Sequence, residues 1–307
     1  MAVIIRDFQP ADAEQAAESK RAAIPFMVIT PELTSWQVAN VPAGQRHRLL
    51  VAEADGRVVG SASVGIYTES SQPGQAFVNL SVAPGARGRG AGAGLLTTAE
   101  EYLTGLGAST AYAWVLDDEA STSFAERHGY RRSRSSYFSR LDLVADPLPP
   151  VPALPEGAEL CRGTDFVDEP RRLYELDAEA AADEPGDVDN AAMSYEDWLA
   201  LYWHRPDLDL ALTSVVLVDG VPAAFSVAQT DGRGRYWSGM TGTRRAYRNR
   251  GLAKLAKADS LHRARAAGCT EAFTGNDSEN APMLAINNWF GYQRAAREWR
   301  YVRELTG

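Results

Sequence analysis

The chain has 307 residues, 45% hydrophobic and 23% charged, with a formal net charge of −9. That length suits two domains of about 150 residues each, and the composition is that of a globular protein, which excludes disorder, collagen-like repeats and a coiled-coil rod. The acidic excess argues against general nucleic-acid binding, and no apolar stretch is long enough for a membrane span.

The opening segment MAVIIRDFQPADAEQ has neither a basic leader nor an apolar segment of the cleavage type, so a cytoplasmic chain is expected. Val3-Ile4-Ile5 predicts a short strand, and Pro10 and Asp12 open a helix. Leu49 to Glu53 and Val58 to Ile66 flank Asp55-Gly56, a strong hairpin signal. Ala76 to Val82 predicts a fourth strand. Residues 144–155, VADPLPPVPALP, hold five prolines and predict an extended linker. Beyond it the order repeats: Val215 to Val218 and Val221 to Val227 flank Asp219-Gly220, and Tyr236 to Met240 takes the place of the next strand. A repeat of this period indicates a duplicated domain and not a solenoid. The expected fold is α/β with a mixed sheet, present twice: residues 1–143, a linker over 144–156, and residues 157–307. Cys161 and Cys269 lie far apart, and His47, His128, His204 and His262 form no metal-ligand spacing, so a reduced chain without a metal is expected.

Two Gly-rich turns follow the fourth strands. The first runs from Val82 through Arg87, Gly88, Arg89, Gly90, Ala91 and Gly92. The second runs from Thr241 and Thr243 through Arg248, Asn249, Arg250, Gly251, Leu252 and Ala253. Both contain Arg-x-x-Gly-x-Gly/Ala, which places residues with little or no side chain at a helix start. Backbone amides there can approach a pyrophosphate, and the helix dipole favours the anion. A dinucleotide fold is not indicated, because no acidic residue closes a following strand, and there is no Gly-Lys-Ser/Thr of a Walker loop.

The pattern Val-x-Pro-x-x-Arg-Gly-Arg-Gly-x-Gly resembles motif A of the GCN5-related N-acetyltransferases (GNAT). Phe124 to Tyr130 is similar to the family's final helix ending in Gly-Phe/Tyr, and Asn276-x-x-x-Asn280-x-x-Met283-x-x-Ile286-Asn287-x-x-Phe290-Gly291-Tyr292 is a fuller match. The resemblance covers nearly the whole chain as two tandem acyl-CoA N-acyltransferase domains. It implies direct acetyl transfer from acetyl-CoA to a primary amine in a ternary complex, with the two loops, Asn276 and Asn280 holding the co-substrate. Family members often place an acidic Tyr in the last helix; that position is Ala125 in the first half, which can do no proton chemistry, and Asn287 in the second, a catalytic candidate that can still hydrogen-bond the co-substrate. No carboxylate stands on either fourth strand, so the resemblance leaves the base unassigned.

Between Asp165 and Asp189, ten carboxylates oppose only Arg171 and Arg172, a local charge of −8. In the family this region roofs the acceptor, so the cluster points to a small cationic amine, as in antibiotic- or metabolite-modifying members, with Asp177 and Asp183 as amine anchors or bases and the second half as the catalytic one. The competing reading of the cluster is a solvated acidic face. Two alternatives stand beside the leading function: thiol-precursor acetylation like that of mycothiol synthase, which shares the tandem layout, and a regulatory acyl-CoA-binding module without turnover. A monomer or homodimer is expected. Trp36, Trp198, Trp203, Trp237 and Trp289 fit either a pocket wall or a core.

Overall fold

A computed structural model describes residues 3–68, 70, 72–145, 147–186 and 193–305. Asp187 and Asp189 of the acidic cluster lie outside them. In chain order the elements are β1 (Val3–Asp7), α1 (Ala13–Ala23), α2 (Pro31–Asn40), β2 (Arg48–Ala54), β3 (Arg57–Ile66), β4 (Gln75–Val82), α3 (Ala91–Gly105), β5 (Thr110–Leu116), α4 (Glu119–Arg127) and β6 (Arg131–Asp142). The series then repeats as β7 (Ala158–Arg162), α5 (Arg171–Ala181), α6 (Tyr195–Trp198), β8 (Ser214–Val218), β9 (Val221–Thr230), β10 (Arg235–Thr243), α7 (Leu252–Ala266), β11 (Glu271–Asp277), α8 (Ala281–Phe290) and β12 (Gln293–Glu304).

The described residues form two compact units, and the division is not a single cut. One unit gathers residues 3–136 with 296–305; the other gathers 137–186 with 193–295. Thus β6 begins in the first unit and passes to the second at Tyr137, while β12 begins in the second and passes to the first at Ala296. The strand order is β1-β2-β3-β4-β5-β12 in the first unit and β6-β11-β10-β9-β8-β7 in the second. In the first, β12 pairs antiparallel with β5 from Glu298 opposite Leu116 to Glu304 opposite Thr110. A split at the Pro-rich segment alone therefore leaves each sheet without its closing strand.

Turn chemistry fixes the hairpins. Asp55 and Gly56 have φ of 52° and 73°, and Asp219 and Gly220 have 51° and 78°. Two consecutive left-handed residues match the twist of the flanking strands, which is why Asp-Gly sits at both places. The first core joins Leu50, Val64, Val78, Leu95, Leu103 and Tyr301 beneath α3. In the second unit one cluster under α7 gathers Tyr236, Leu261, Phe273's neighbour Ala272 and Phe290, and another under α5 gathers Phe166, Leu173, Leu176, Trp198 and Phe225. Trp198 and Trp203 stack at 5.5 Å within that second cluster, a core role for both rings.

In each unit the fourth and fifth strands pair in parallel for three residues and then part. Those pairs run from Gln75 opposite Thr110 to Phe77 opposite Tyr112, and from Arg235 opposite Glu271 to Trp237 opposite Phe273. The gap opened there, together with the Gly-rich turn at the strand's end, positions the candidate site.

Candidate active site

Each fourth strand ends in a short 3-10 turn and then a helix whose cap is a left-handed glycine. Gly90 caps α3 with φ 88°, and Gly251 caps α7 with φ 75°. Gly88 at 75° and Asn249 at 63° share that backbone region. A Cβ placed on Gly88, Gly90 or Gly251 would meet nothing within 4 Å, so the peptide edges at both helix starts face open space. Ala91, Gly92, Leu252 and Ala253 supply the first helical N–H groups, which have no carbonyl partner inside the helix. Both turns therefore fit a pyrophosphate, with Val82 and Thr243 closing the strands behind them. Arg87 hydrogen-bonds the Val82 carbonyl at 3.4 Å, and Arg248 the Thr243 carbonyl at 3.3 Å, the same contact in both loops. Arg89 and Arg250 are exposed beside them, and the Thr241 hydroxyl is bonded to Ser226 at 3.0 Å.

The carboxylates of α5 behave differently from a free acidic roof. Arg244 holds Glu179 at 3.0 Å, and Glu175 at 3.8 Å. Glu179 also accepts from the Arg245 backbone N–H at 2.7 Å. Asp183 accepts two bonds from Arg245, at 2.9 and 2.7 Å, and a third from Arg248. Those guanidinium groups hold the Asp183 carboxyl well below the usual carboxylate range. Asp183, expected from the sequence as an amine anchor or base, is thus bonded to two arginines of the second loop. Three of the ten carboxylates of the cluster, Glu175, Glu179 and Asp183, are paired with loop arginines.

Asp177 is the exception. Its Oδ2 accepts from Trp198 Nε1 at 2.6 Å, while its Oδ1 is shut off from solvent with no hydrogen-bond partner among the described residues. Burial pushes its carboxyl up to about 6. The helix is set closely on β10: a Cβ on Gly242 would come within 2.5 Å of the Ala180 methyl. Because Glu179 and Asp183 reach the loop beyond β10, α5 runs toward that loop, and Asp177 lies one turn back. Met240 packs against the same cluster of Leu173, Leu176, Ala180 and Trp198.

At that level β10 carries a bulge. Ser238 pairs with Ala228 and Thr241 with Ser226, so Gly239 and Met240 together oppose Val227. The extra residue leaves a peptide group outside the ladder. In the first unit the matching ladder is unbroken from Gly60 opposite Val82 to Ile66 opposite Ala76. There Asn79 accepts from the Trp114 backbone N–H at 2.9 Å, bridging the two diverging strands. Arg300, 3% exposed, lies 5.2 Å from the Trp114 ring and donates to the Tyr67 hydroxyl at 2.7 Å. Ala125 is packed into the core below.

In the last helix of the second unit, Asn280 caps α8 by accepting from Met283 N–H at 3.3 Å. Asn276 instead accepts from Asn287 Nδ2 at 2.6 Å. Asn276 and Asn287 are brought together; Asn280 has a structural use. The bulge, the bridge at Asn79 and the buried Lys257 behind Asn287 were not read from the sequence. Only the bulge left a signal there, an isolated glycine inside a strand pattern. Among the described residues no cluster could hold a metal, and no helix is long and apolar enough to cross a membrane.

Residues 17–130 match the Acetyltransferase (GNAT) family. A mycothiol acetyltransferase of Nocardioides sp. is 29% identical over 234 residues, covering 72% of this chain and 77% of that protein. Another, of Geodermatophilus obscurus, is 39% identical over 121 residues, 39% of this chain and 37% of that one. A GCN5-related N-acetyltransferase from Sphaerobacter thermophilus has a TM-score of 0.72 at 23% identity, covering 99% of this chain and 96% of its own. A tandem GNAT protein from the clavulanic acid biosynthesis pathway has a TM-score of 0.75 at 19% identity, covering 100% and 99%. At these identities the two structures establish the fold of the chain.

Proposed function

We propose that the chain, whose residues 17–130 match the GNAT family, is a tandem N-acetyltransferase of that family, and that its second unit transfers acetyl from acetyl-CoA to the primary amine of a small thiol precursor, as the name of its mycothiol acetyltransferase relatives suggests. The observation that carries this reading is Asp177, with its unpartnered Oδ1, on a helix whose Ala180 packs against Gly242 of β10, the strand that carries the Gly239–Met240 bulge. The loop N–H groups and Arg248 hold the pyrophosphate, and the peptide N–H freed at the bulge polarises the thioester carbonyl. For the acceptor ammonium to hydrogen-bond Asp177 Oδ1 and give it a proton, the side chains that close this oxygen from solvent must part as the acceptor enters. The freed lone pair attacks, the C–N bond forms, and the C–S bond breaks with its electron pair on sulfur.

The proton transfer favours the less basic acceptor, with this base as with any other. A carboxylate titrating near 6 lies about 2 units below an α-amine but about 4 below a lysine-type amine. Proton transfer from a cysteinyl α-amine is therefore the easier by about a hundredfold. The cationic polyamine reading drew on the acidic cluster, and three of its ten carboxylates, Glu175, Glu179 and Asp183, are paired with Arg244, Arg245 and Arg248.

Thiol release from acetyl-CoA tests the proposal, with a cysteinyl amide of glucosamine and putrescine as rival acceptors. Faster release with the cysteinyl amide is expected. Preference for putrescine restores the cationic acceptor, and release with neither removes the acceptor class altogether.

A further inference from the structure

A buried polar chain lies where β10 and β11 part, and the transfer step above does not use it. Lys257, in the middle of α7, is wholly buried, as are Leu252, Leu255, Ala256, Ala258 and Leu261 of the same helix. Its Nζ donates to Asn287 Oδ1 at 2.6 Å, and Asn287, 2% exposed, passes the chain on to Asn276. The ring of Tyr292 lies 5.0 Å from Nζ. Core packing alone gives no reason for an amine at this position, since burying one is costly unless its hydrogen bonds are used.

The chemistry of the groups fixes the amide's orientation. A lysine head only donates when charged, so Asn287 must turn Oδ1 toward it and Nδ2 away. Nδ2 carries two hydrogens; Asn276 takes one, and the other has no acceptor among the described residues. Asn276 lies three residues beyond Phe273, the last member of the parallel pairing, so this N–H stands at the divergence of the strands.

We propose that Asn287 donates its second Nδ2 hydrogen to the sulfur of the CoA thioester and of the departing thiolate, and that Lys257 is its positioning residue. The inference rests on the second unit being the CoA site. The acceptor's proton goes to Asp177, the C–S electron pair goes to sulfur, and the thiolate, held by this N–H, takes its proton from water on release. A thiol titrating near 8.5 needs no strong acid at neutral pH, only a donor to the charged form. Lys257 draws electron density from Oδ1 and so strengthens the N–H on the same amide.

Burial pushes Lys257 down to about 7, so its charge is present on the acid side of neutrality. From the neighbouring elements Tyr292 and, on β10, Tyr236 are raised by burial and stay neutral there. On α7 itself Lys254 lies over the Trp289 ring, and Asp259 is paired with Arg263.

The test needs CoA alone. The thiol of bound CoA is titrated by thiolate absorbance in the wild type, Asn287→Ala and Lys257→Met. The bound thiol is expected to be about tenfold more acidic than free CoA. Both variants should return it to the free value, while affinity at pH 6, set by the phosphate loop, stays within about twofold. Methionine fills the lysine's volume without its charge, and a melting curve checks the fold. Variants that melt as the wild type does and leave thiol acidity unchanged overturn the proposal. CoA binding that survives Gly251→Pro but not Gly90→Pro overturns the second unit as the CoA site, a separate failure.

Discussion

Two residues beyond the last parallel pair, the fourth and fifth strands of the first unit carry Asn79 and Trp114, and those of the second carry Gly239 and Gly275. The first pair closes the gap with a hydrogen bond, and Arg300 packs over it. The second pair has no side chain of its own; there Thr274 Oγ1 donates to the Ser238 carbonyl at 3.2 Å, and a Cβ on Gly275 would fall 3.3 Å from the Trp237 ring. Yet the Gly-capped helix starts are alike in both units, down to the arginine on the strand-end carbonyl. A phosphate cradle is made of backbone and survives wherever the turn does. The reaction centre proposed above uses a bulge in the fourth strand and a buried carboxylate on the helix packed against it, and among the described residues the first unit's fourth strand has no such bulge against its third.

The largest expected effect separates the two loops. Gly90→Pro and Gly251→Pro cannot adopt the positive φ these caps require, so each should abolish CoA binding in its own unit. Isothermal titration counts the sites: two in the wild type and one in each variant would keep the loops equivalent, whereas a single wild-type site would mean that the likeness stops at the backbone.

Next comes the base. Asp177→Asn should lower turnover by about a thousandfold with CoA affinity unchanged, and the rise in activity through pH 6 should vanish. Its stability effect has the opposite sign. The folded carboxyl titrates above its unfolded value, so stability falls as pH rises from about 4 to 6 and stays reduced above that. Asp177→Asn should therefore raise the melting temperature at pH 7.5, by about 5 °C, and hardly change it at pH 3.5. A melting point that drops at pH 7.5 would mean the carboxylate is stabilising and its oxygen is bonded after all.

The smallest effect falls on the bridge in the first unit. Asn79→Ala leaves the Trp114 N–H unpaired and should cost about 1 kcal/mol of stability with no change in turnover. A measurable gain of activity there would show that the first unit is a closed catalyst and not a spent one.

Much of this was legible in residue order. Asp-Gly twice between apolar runs gave the hairpins, and Arg-x-x-Gly twice gave the helix starts, because those features depend on local backbone conformation. Asp177 and Asp183 looked interchangeable in the sequence, six apart in one acidic run. Their roles part only in three dimensions: Asp183 meets Arg245 and Arg248, sixty residues on, while Asp177 turns into the Trp198 cluster. Nothing in the sequence sets Lys257 apart, since its partners, Asn287 and Tyr292, lie thirty and more residues on.

The exchange of closing strands has a consequence for synthesis. The edge of β5 has no partner from its own half of the chain; its partner, Glu298 to Glu304, leaves the ribosome last among the described strands. The first unit must wait with an exposed edge while the whole second unit is translated, an interval in which such edges invite pairing with other chains. The arrangement also couples quality control of the two units, because a chain stopped short of β12 leaves its first sheet open even when every residue before it is correct.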